Sequence, residues 1–129
     1  MNRTAKWVWG AIGVLIIGGL LAWYVIDART PGEYDELALC LAEKDVTFYG
    51  AFWCQHCAKQ KQLFGRKSAK LLPYVECSTP DSKGQLQVCK DAGIMGYPTW
   101  QFADGTRDAR VLTPAILAEK TGCALPASN

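Results

Sequence analysis

Histidine is nearly absent from this sequence: His56 is the only one in 129 residues. A second Cys-x-x-Cys pair is absent too, so Cys54 and Cys57 lack the companion ligands of a four-coordinate zinc site, and neither a metal nor a cofactor is expected. Repeats and low-complexity tracts are missing, which excludes solenoid and array architectures. Charge is missing from Trp7 to Ile26, and no acidic residue precedes Asp27. Clustered basic residues are missing as well. Arg3 and Lys6 precede the uncharged run, and the remaining 12 of the 14 basic residues balance the 12 acidic ones that follow it. A neutral domain of this kind offers no nucleic-acid surface, which needs Lys and Arg gathered on one face.

What is present begins with that run, WVWGAIGVLIIGGLLAWYVI, 20 residues long. At 1.5 Å per residue it matches a bilayer core of about 30 Å. Trp7 and Trp9 at one end, and Trp23 and Tyr24 at the other, place amphipathic rings at both interfaces. A cleaved signal peptide is the competing reading, but its apolar stretch is usually about 7–15 residues with a small-x-small cleavage site, and Trp-Tyr-Val-Ile-Asp-Ala is a poor one. The expected organisation is a cytoplasmic N-terminus at 1–6, a transmembrane anchor at 7–26, a linker at 27–32, one domain at 33–123 and a tail at 124–129. The basic residues before the run keep that end in the cytoplasm, so the domain is expected on the periplasmic, extracytoplasmic or lumenal side. Six cysteines suit such an oxidising compartment.

In the soluble part, residues 33–44 carry apolar side chains at helical spacing. Val46 to Trp53 (VTFYGAFW) is β-branched, aromatic and apolar on both faces, which predicts a central strand. A helix over 57–70 follows, with the two motif cysteines at its N-terminus. A strand is expected at 72–77, a helix at 82–92 closed by Gly93, and a hairpin pairing 99–102 with 107–112 through Asp104-Gly105. Thr113 as N-cap, Pro114 at the first helical position and Gly122 as the stop define a last helix. This order predicts an α/β domain with a mixed sheet flanked by helices.

Two cysteines at i and i+3 opening a helix suit thiol-disulfide exchange. Their side chains reach one another. The first meets free N–H groups and the positive end of the helix dipole, which favours its thiolate. The second resolves a mixed disulfide formed on the first. Cys54 is therefore the exchanging sulfur and Cys57 the resolving one, and an imidazolium at His56 would favour the Cys54 thiolate.

Trp53-Cys54-Gln55-His56-Cys57 after an apolar strand, with Tyr97-Pro98-Thr99 further on, resembles the redox motif and cis-proline loop of thioredoxin-fold proteins. The runs Tyr49 to Trp53, Pro73 to Ser78, and Gly93-Ile94 leading to Tyr97-Pro98-Thr99-Trp100 are similar to the thioredoxin-like domain fused to, or partnering, bacterial and plant vitamin K epoxide reductase homologues. The resemblance covers nearly all of residues 33–123. It implies a thioredoxin-like fold, a cis Pro98 against the cysteine pair, and substrate contacts from Trp53, Gln55, Gly96 and Tyr97, with Met95 nearby. It also implies a structural disulfide between Cys77 and Cys89, against the alternative of a second redox pair. Cys40 and Cys123 have no counterpart in that pattern and either form a further bridge or stay as buried apolar side chains. Two positions depart from the pattern. Gln55 stands where a proline is common between the cysteines. Phe48 stands six positions before Cys54, where cytoplasmic thioredoxins bury an acidic residue. Glu76 is either a substitute proton acceptor or an ordinary strand-end carboxylate.

The function these residues imply is disulfide exchange with protein thiols and disulfides on the far side of the membrane, with oxidising equivalents drawn from a quinone-linked partner of the vitamin K epoxide reductase kind. The same chemistry run in reverse, as a membrane-fed reductase or isomerase, stays open, as does a binding module that uses the fold without the chemistry.

Overall fold

The computed structural model describes residues 2–127. Met1 of the expected cytoplasmic N-terminus and Ser128 and Asn129 of the expected tail lie outside the described residues. Two compact units divide the chain between Thr30 and Pro31.

The first unit is one helix, α1 (Arg3–Arg29). Its stretch Ala5–Arg29 is long and apolar enough to cross a membrane, with a mean hydropathy of 2.0 and none of the most apolar window buried. The helix passes beyond Ile26 because Asp27, Ala28 and Arg29 all tolerate helical geometry; only with Thr30, just before Pro31, does the chain turn extended. Residues 27–29, expected in a linker, are thus the last turn of this helix.

The second unit runs in the order α2 (Asp35–Glu43), β1 (Thr47–Gly50), α3 (Gln55–Ser68), a 3-10 turn (Ala69–Leu71), β2 (Tyr74–Glu76), α4 (Gln87–Asp91), β3 (Thr99–Gln101), β4 (Arg107–Asp108) and α5 (Pro114–Thr121). The strands form one mixed sheet in the order β2-β1-β3-β4, with β2 parallel to β1 and both other pairs antiparallel. With helices flanking it, this is a thioredoxin-like fold.

Register decides what each face of the sheet carries. Phe48 lies opposite Tyr74 on one side and Trp100 on the other. Their rings form a row, Phe48 edge-on to Tyr74 at 5.1 Å and stacked on Trp100 at 4.6 Å. Leu37, Leu41, Phe64, Leu112 and Leu117 complete this main core. Alternation turns Tyr49 to the opposite face, where it packs with Cys77, Cys89 and Ile94 in a smaller cluster.

Several elements are shorter than their sequence patterns. The run 46–53 stops being strand at Gly50, because Phe52 and Trp53 swing out to more than half exposure to bring Cys54 to its helix. The helix expected over 82–92 is formed only at Gln87–Asp91. Residues before it make turns, with Ser82 at φ 60° and an isolated bridge between Ser78 and Gln85. The hairpin turns at Gly105 (φ 82°) as expected, yet β4 keeps only Arg107–Asp108. In α5, Thr113 caps the helix by accepting the Ile116 N–H, Pro114 follows, and Gly122 ends it in the left-handed region at φ 73°.

Gln60 belongs by spacing to the apolar stripe of α3 and is fully buried. Its Oε1 accepts the N–H of Leu112 at 2.7 Å and the indole N–H of Trp100 at 3.2 Å, while its Nε2 donates to the Leu112 carbonyl at 2.7 Å. One amide therefore pins the segment between β4 and α5 to the redox helix. Replacing it with an apolar residue of similar size leaves two N–H groups and a carbonyl unpaired in the core. At about 1–3 kcal/mol for each buried group, Gln60→Leu is expected to cost about 3 kcal/mol or more, read as a fall in the urea midpoint; an unchanged midpoint would show that those groups find other partners.

Candidate active site

The site grows from the junction of β1 and α3. Gly50 ends the strand, Cys54 is the N-cap of α3, and the Cys54 N–H donates to the Ala51 carbonyl at 3.0 Å, closing the turn between them. The Cys54 sulfur takes the capping role that an oxygen usually has: it accepts the Cys57 N–H at 3.3 Å. A sulfur at the positive end of a helix with an N–H directed at it is placed to be stabilised as a thiolate. Both thiols are free, and Cys54 keeps 7% of its surface against 1% for Cys57. Only Cys54 offers an approaching disulfide a route. Burial first, then the contact with Cys54, pushes the Cys57 thiol up to about 12, while the backbone at Ala51 and then the charge of Lys61 oppose the rise.

Tyr97 and Pro98 are joined by a cis peptide. Pro98 is buried, and the Tyr97 carbonyl accepts from the Cys54 sulfur at 3.7 Å, so this loop stands against the cysteine pair. The Gly96 carbonyl is engaged by the Thr99 hydroxyl at 2.8 Å. Met95, 98% exposed, lies at the loop's rim. Trp53 is held by its indole N–H donating to Ser78 Oγ at 2.8 Å and lies edge-on to Tyr97, with 6.0 Å between ring centres. The Tyr97 hydroxyl in turn accepts from Gln85 at 2.9 Å. Gln55 and His56 are exposed on the first turn of α3. Among the described residues no hydrogen bond ties His56 to Cys54.

The other four cysteines are bonded, Cys77 to Cys89 and Cys40 to Cys123. Cys77 and Cys89 have no exposed surface, so their bond is shielded from an external thiolate. Among the described residues no three His, Cys, Asp or Glu side chains gather as a metal site requires.

Of the group behind Cys57, the sequence had offered only Glu76, as one of two readings, and neither Tyr74 nor Lys61. The Tyr74 hydroxyl donates to Glu76 Oε2 at 2.7 Å, and Glu76 Oε1 accepts the N–H groups of Phe52 at 3.2 Å and Ser78 at 2.8 Å. Glu76 thus fixes the loop leading into Cys54 as well as Tyr74. Lys61 lies 3.6 Å over the Tyr74 ring. Burial, then the hydrogen bond to Glu76, pushes the Tyr74 phenol upward, so it stays neutral. The signal available in sequence was indirect: Tyr74 and Glu76 share one strand face, and Cys57 and Lys61 are one helical turn apart.

Fold and site together define a thioredoxin-like domain with a free Cys-x-x-Cys pair beside a cis-proline loop. No protein-family model matches the chain. Thiol-disulfide oxidoreductase LTO1 of Arabidopsis thaliana is 49% identical over 97 residues, covering 72% of this chain and 25% of that protein. Protein disulfide-isomerase erp38 of Neurospora crassa is 28% identical over 106 residues, covering 71% of this chain and 28% of its own length. The chain therefore spans about a quarter of the length of the curated relatives it matches, and both are named for thiol-disulfide chemistry.

Proposed function

We propose that this protein is a membrane-anchored thiol-disulfide oxidoreductase that exchanges disulfides with proteins on the extracytoplasmic side. The observation that carries this reading is the pair of free, buried thiols, the one at the helix N-terminus keeping 7% of its surface and the one behind it 1%, in a domain whose other four cysteines are bonded. When oxidised, the pair is attacked at Cys54 by a substrate thiolate. The Cys54–Cys57 bond breaks, a mixed disulfide forms on Cys54, and Cys57 leaves with the electron pair. A second substrate thiolate then displaces Cys54, leaving the dithiol seen here. Tyr97 and the exposed Trp53 and Met95 frame the approach, where an extended peptide segment would lie.

Re-oxidation is assigned to a quinone-linked membrane partner of the vitamin K epoxide reductase kind. With α1 in the bilayer the domain is tethered to the membrane, and a partner in the same membrane meets it at high effective concentration. The likeness to a protein named disulfide-isomerase supports a second reading, in which the pair is kept reduced and reshuffles client disulfides.

Equilibration of the full chain in glutathione buffers separates these readings. A potential near about −120 mV is expected of a disulfide donor, and one near about −270 mV would replace that reading with a reductant. A pair that never closes into a disulfide would overturn the oxidoreductase assignment.

A further inference from the structure

The resolving step asks a difficult thing of Cys57. Its sulfur must become a thiolate while buried, and the position where cytoplasmic thioredoxins keep an acidic side chain holds Phe48, packed edge-on to Tyr74. The charged groups near Cys57 come from other places. Phe48 and Gly50 share one face of β1, and register sets Tyr74 and Glu76 of β2 beside them. Gly50 faces the redox helix: a β-carbon there would stand 3.0 Å from the Cys57 sulfur, 2.7 Å from Tyr74 Cε2 and 3.4 Å from the Tyr74 hydroxyl. The missing side chain thus lets sulfur and phenol flank the same point. Lys61, one turn beyond Cys57, lies over the ring of that same tyrosine, and Glu76 clamps the tyrosine's hydroxyl.

Resting on the oxidoreductase reading above, we propose that Lys61 is the charge partner of Cys57 in the resolving step, and that Tyr74, clamped by Glu76, is the positioning residue that holds its ammonium there. In that step the Cys57 thiolate attacks the Cys54 sulfur of the mixed disulfide. The Cys54–Cys57 bond forms, the bond from Cys54 to the substrate sulfur breaks, and the departing sulfur takes the electron pair and a proton from solvent. The enzyme dithiol is oxidised by two electrons and the substrate disulfide is reduced by two. Once Cys54 is in the mixed disulfide it carries no charge, so burial still raises Cys57 while the backbone at Ala51 and the charge of Lys61 oppose it, Lys61 being the one opposing charge. A cation seated on an aromatic face and held out of bulk water keeps its attraction for a nearby anion better than one free in solution.

The test uses the reduced full chain in detergent micelles and the aromatic disulfide 5,5′-dithiobis(2-nitrobenzoate). Attack by Cys54 releases a first thionitrobenzoate and resolution by Cys57 a second, so one stopped-flow trace reports both steps. Losing the charge partner raises Cys57 and lowers its thiolate fraction, and the greater nucleophilicity of the more basic sulfur recovers only part of the loss. Lys61→Met is therefore expected to slow the second phase measurably and to move its pH midpoint upward, with the first phase unchanged. Lys61→Arg keeps the charge and is expected to retain the wild-type midpoint. Tyr74→Leu removes the platform and is expected to match Lys61→Met, with the double variant no slower than either. The titratable groups acting on Cys57 are Cys54 and Lys61 from α3 and Tyr74 from β2, with Glu76 bonded to that tyrosine and Tyr97 of the proline loop set against Cys54. Cys54 is consumed in the adduct, and Tyr74, Glu76 and Tyr97 are intact in the Lys61 variants, so a moved midpoint belongs to Lys61. A second phase in Lys61→Met as fast as wild type, with the same midpoint, would overturn the proposal. An additive double variant would overturn the positioning role of Tyr74. Absence of both phases in the wild-type protein would instead sink the oxidoreductase reading.

Discussion

Cys57→Ser is expected to stop the protein halfway, with one thionitrobenzoate released per chain, no second release, and clients retained as mixed disulfides on non-reducing gels. The reason is the order of access. Cys54, at the helix N-terminus, meets the disulfide first, and without Cys57 nothing behind it displaces the adduct. Cys54→Ser is expected to behave differently. The remaining thiol is 1% exposed and held up chiefly by burial, which the substitution leaves in place while removing the smaller contribution of Cys54. A buried thiol raised in this way is poorer in thiolate at neutral pH than an ordinary cysteine, and it has no partner thiol with which to close a disulfide. Turnover should be lost, with no adduct to capture. Adducts accumulating on Cys54→Ser but not on Cys57→Ser would reverse the assigned roles.

The placement of the two free thiols at the start of α3 was legible in sequence because it is set locally. Spacing, the helix that follows and the strand before it lie in one continuous stretch, and local patterns read such stretches well. Helix α5 was legible for the same reason, since Thr113, Pro114 and Gly122 each act on the backbone within a turn. Element lengths were read less well where tertiary demands override local preference. The pattern Val46 to Trp53 is strand-like throughout, yet the chain must leave the sheet at Gly50 to aim Cys54 outward, which exposes Phe52 and Trp53. Residues 82–86 pass for the start of a helix, but the chain there turns back toward Ser78 before α4 begins.

The surroundings of the pair were illegible for a different reason. Gln60 looks like a polar intrusion in an apolar stripe until Leu112, 52 positions away, is seen to need it. In sequence Tyr74 and Lys61 look like an ordinary strand residue and a surface lysine, and Glu76 reads as either a proton acceptor or a strand-end carboxylate. Only the parallel register of β1 and β2 sets them beside Gly50 and so beside Cys57. Sequence named the two thiols proposed to react, and pairing across the sheet supplied what surrounds them. That division is expected wherever a nucleophile is local and its support comes from a neighbouring strand.

The pairing of Cys40 with Cys123 shows the same division and sets the largest expected change in stability. Spacing could not choose between a bridge and two buried thiols, because the decision rests on whether α2 and the end of α5 meet. They do, with α-carbons 6.0 Å apart and the residues separated by 83 positions. In the chain-entropy picture, closing a loop of that length constrains the unfolded chain by about 4.5 kcal/mol, against about 2.8 kcal/mol for the separation of 12 between Cys77 and Cys89. A domain of this size has a total stability of about 5–15 kcal/mol, so the longer bridge accounts for a large share of it. The double substitution Cys40→Ala with Cys123→Ala is expected to lower the thermal midpoint by about 20 °C or more, and the corresponding change at Cys77 and Cys89 by less. Thiol counting under denaturing conditions checks the premise first: the dithiol form should show two reactive sulfurs, Cys54 and Cys57, before any reduction of the bridges. If the Cys40 and Cys123 variant melts with the wild type, the two termini of the domain are held by packing of α2 on α5, and the bridge adds little to a contact that the apolar faces already make.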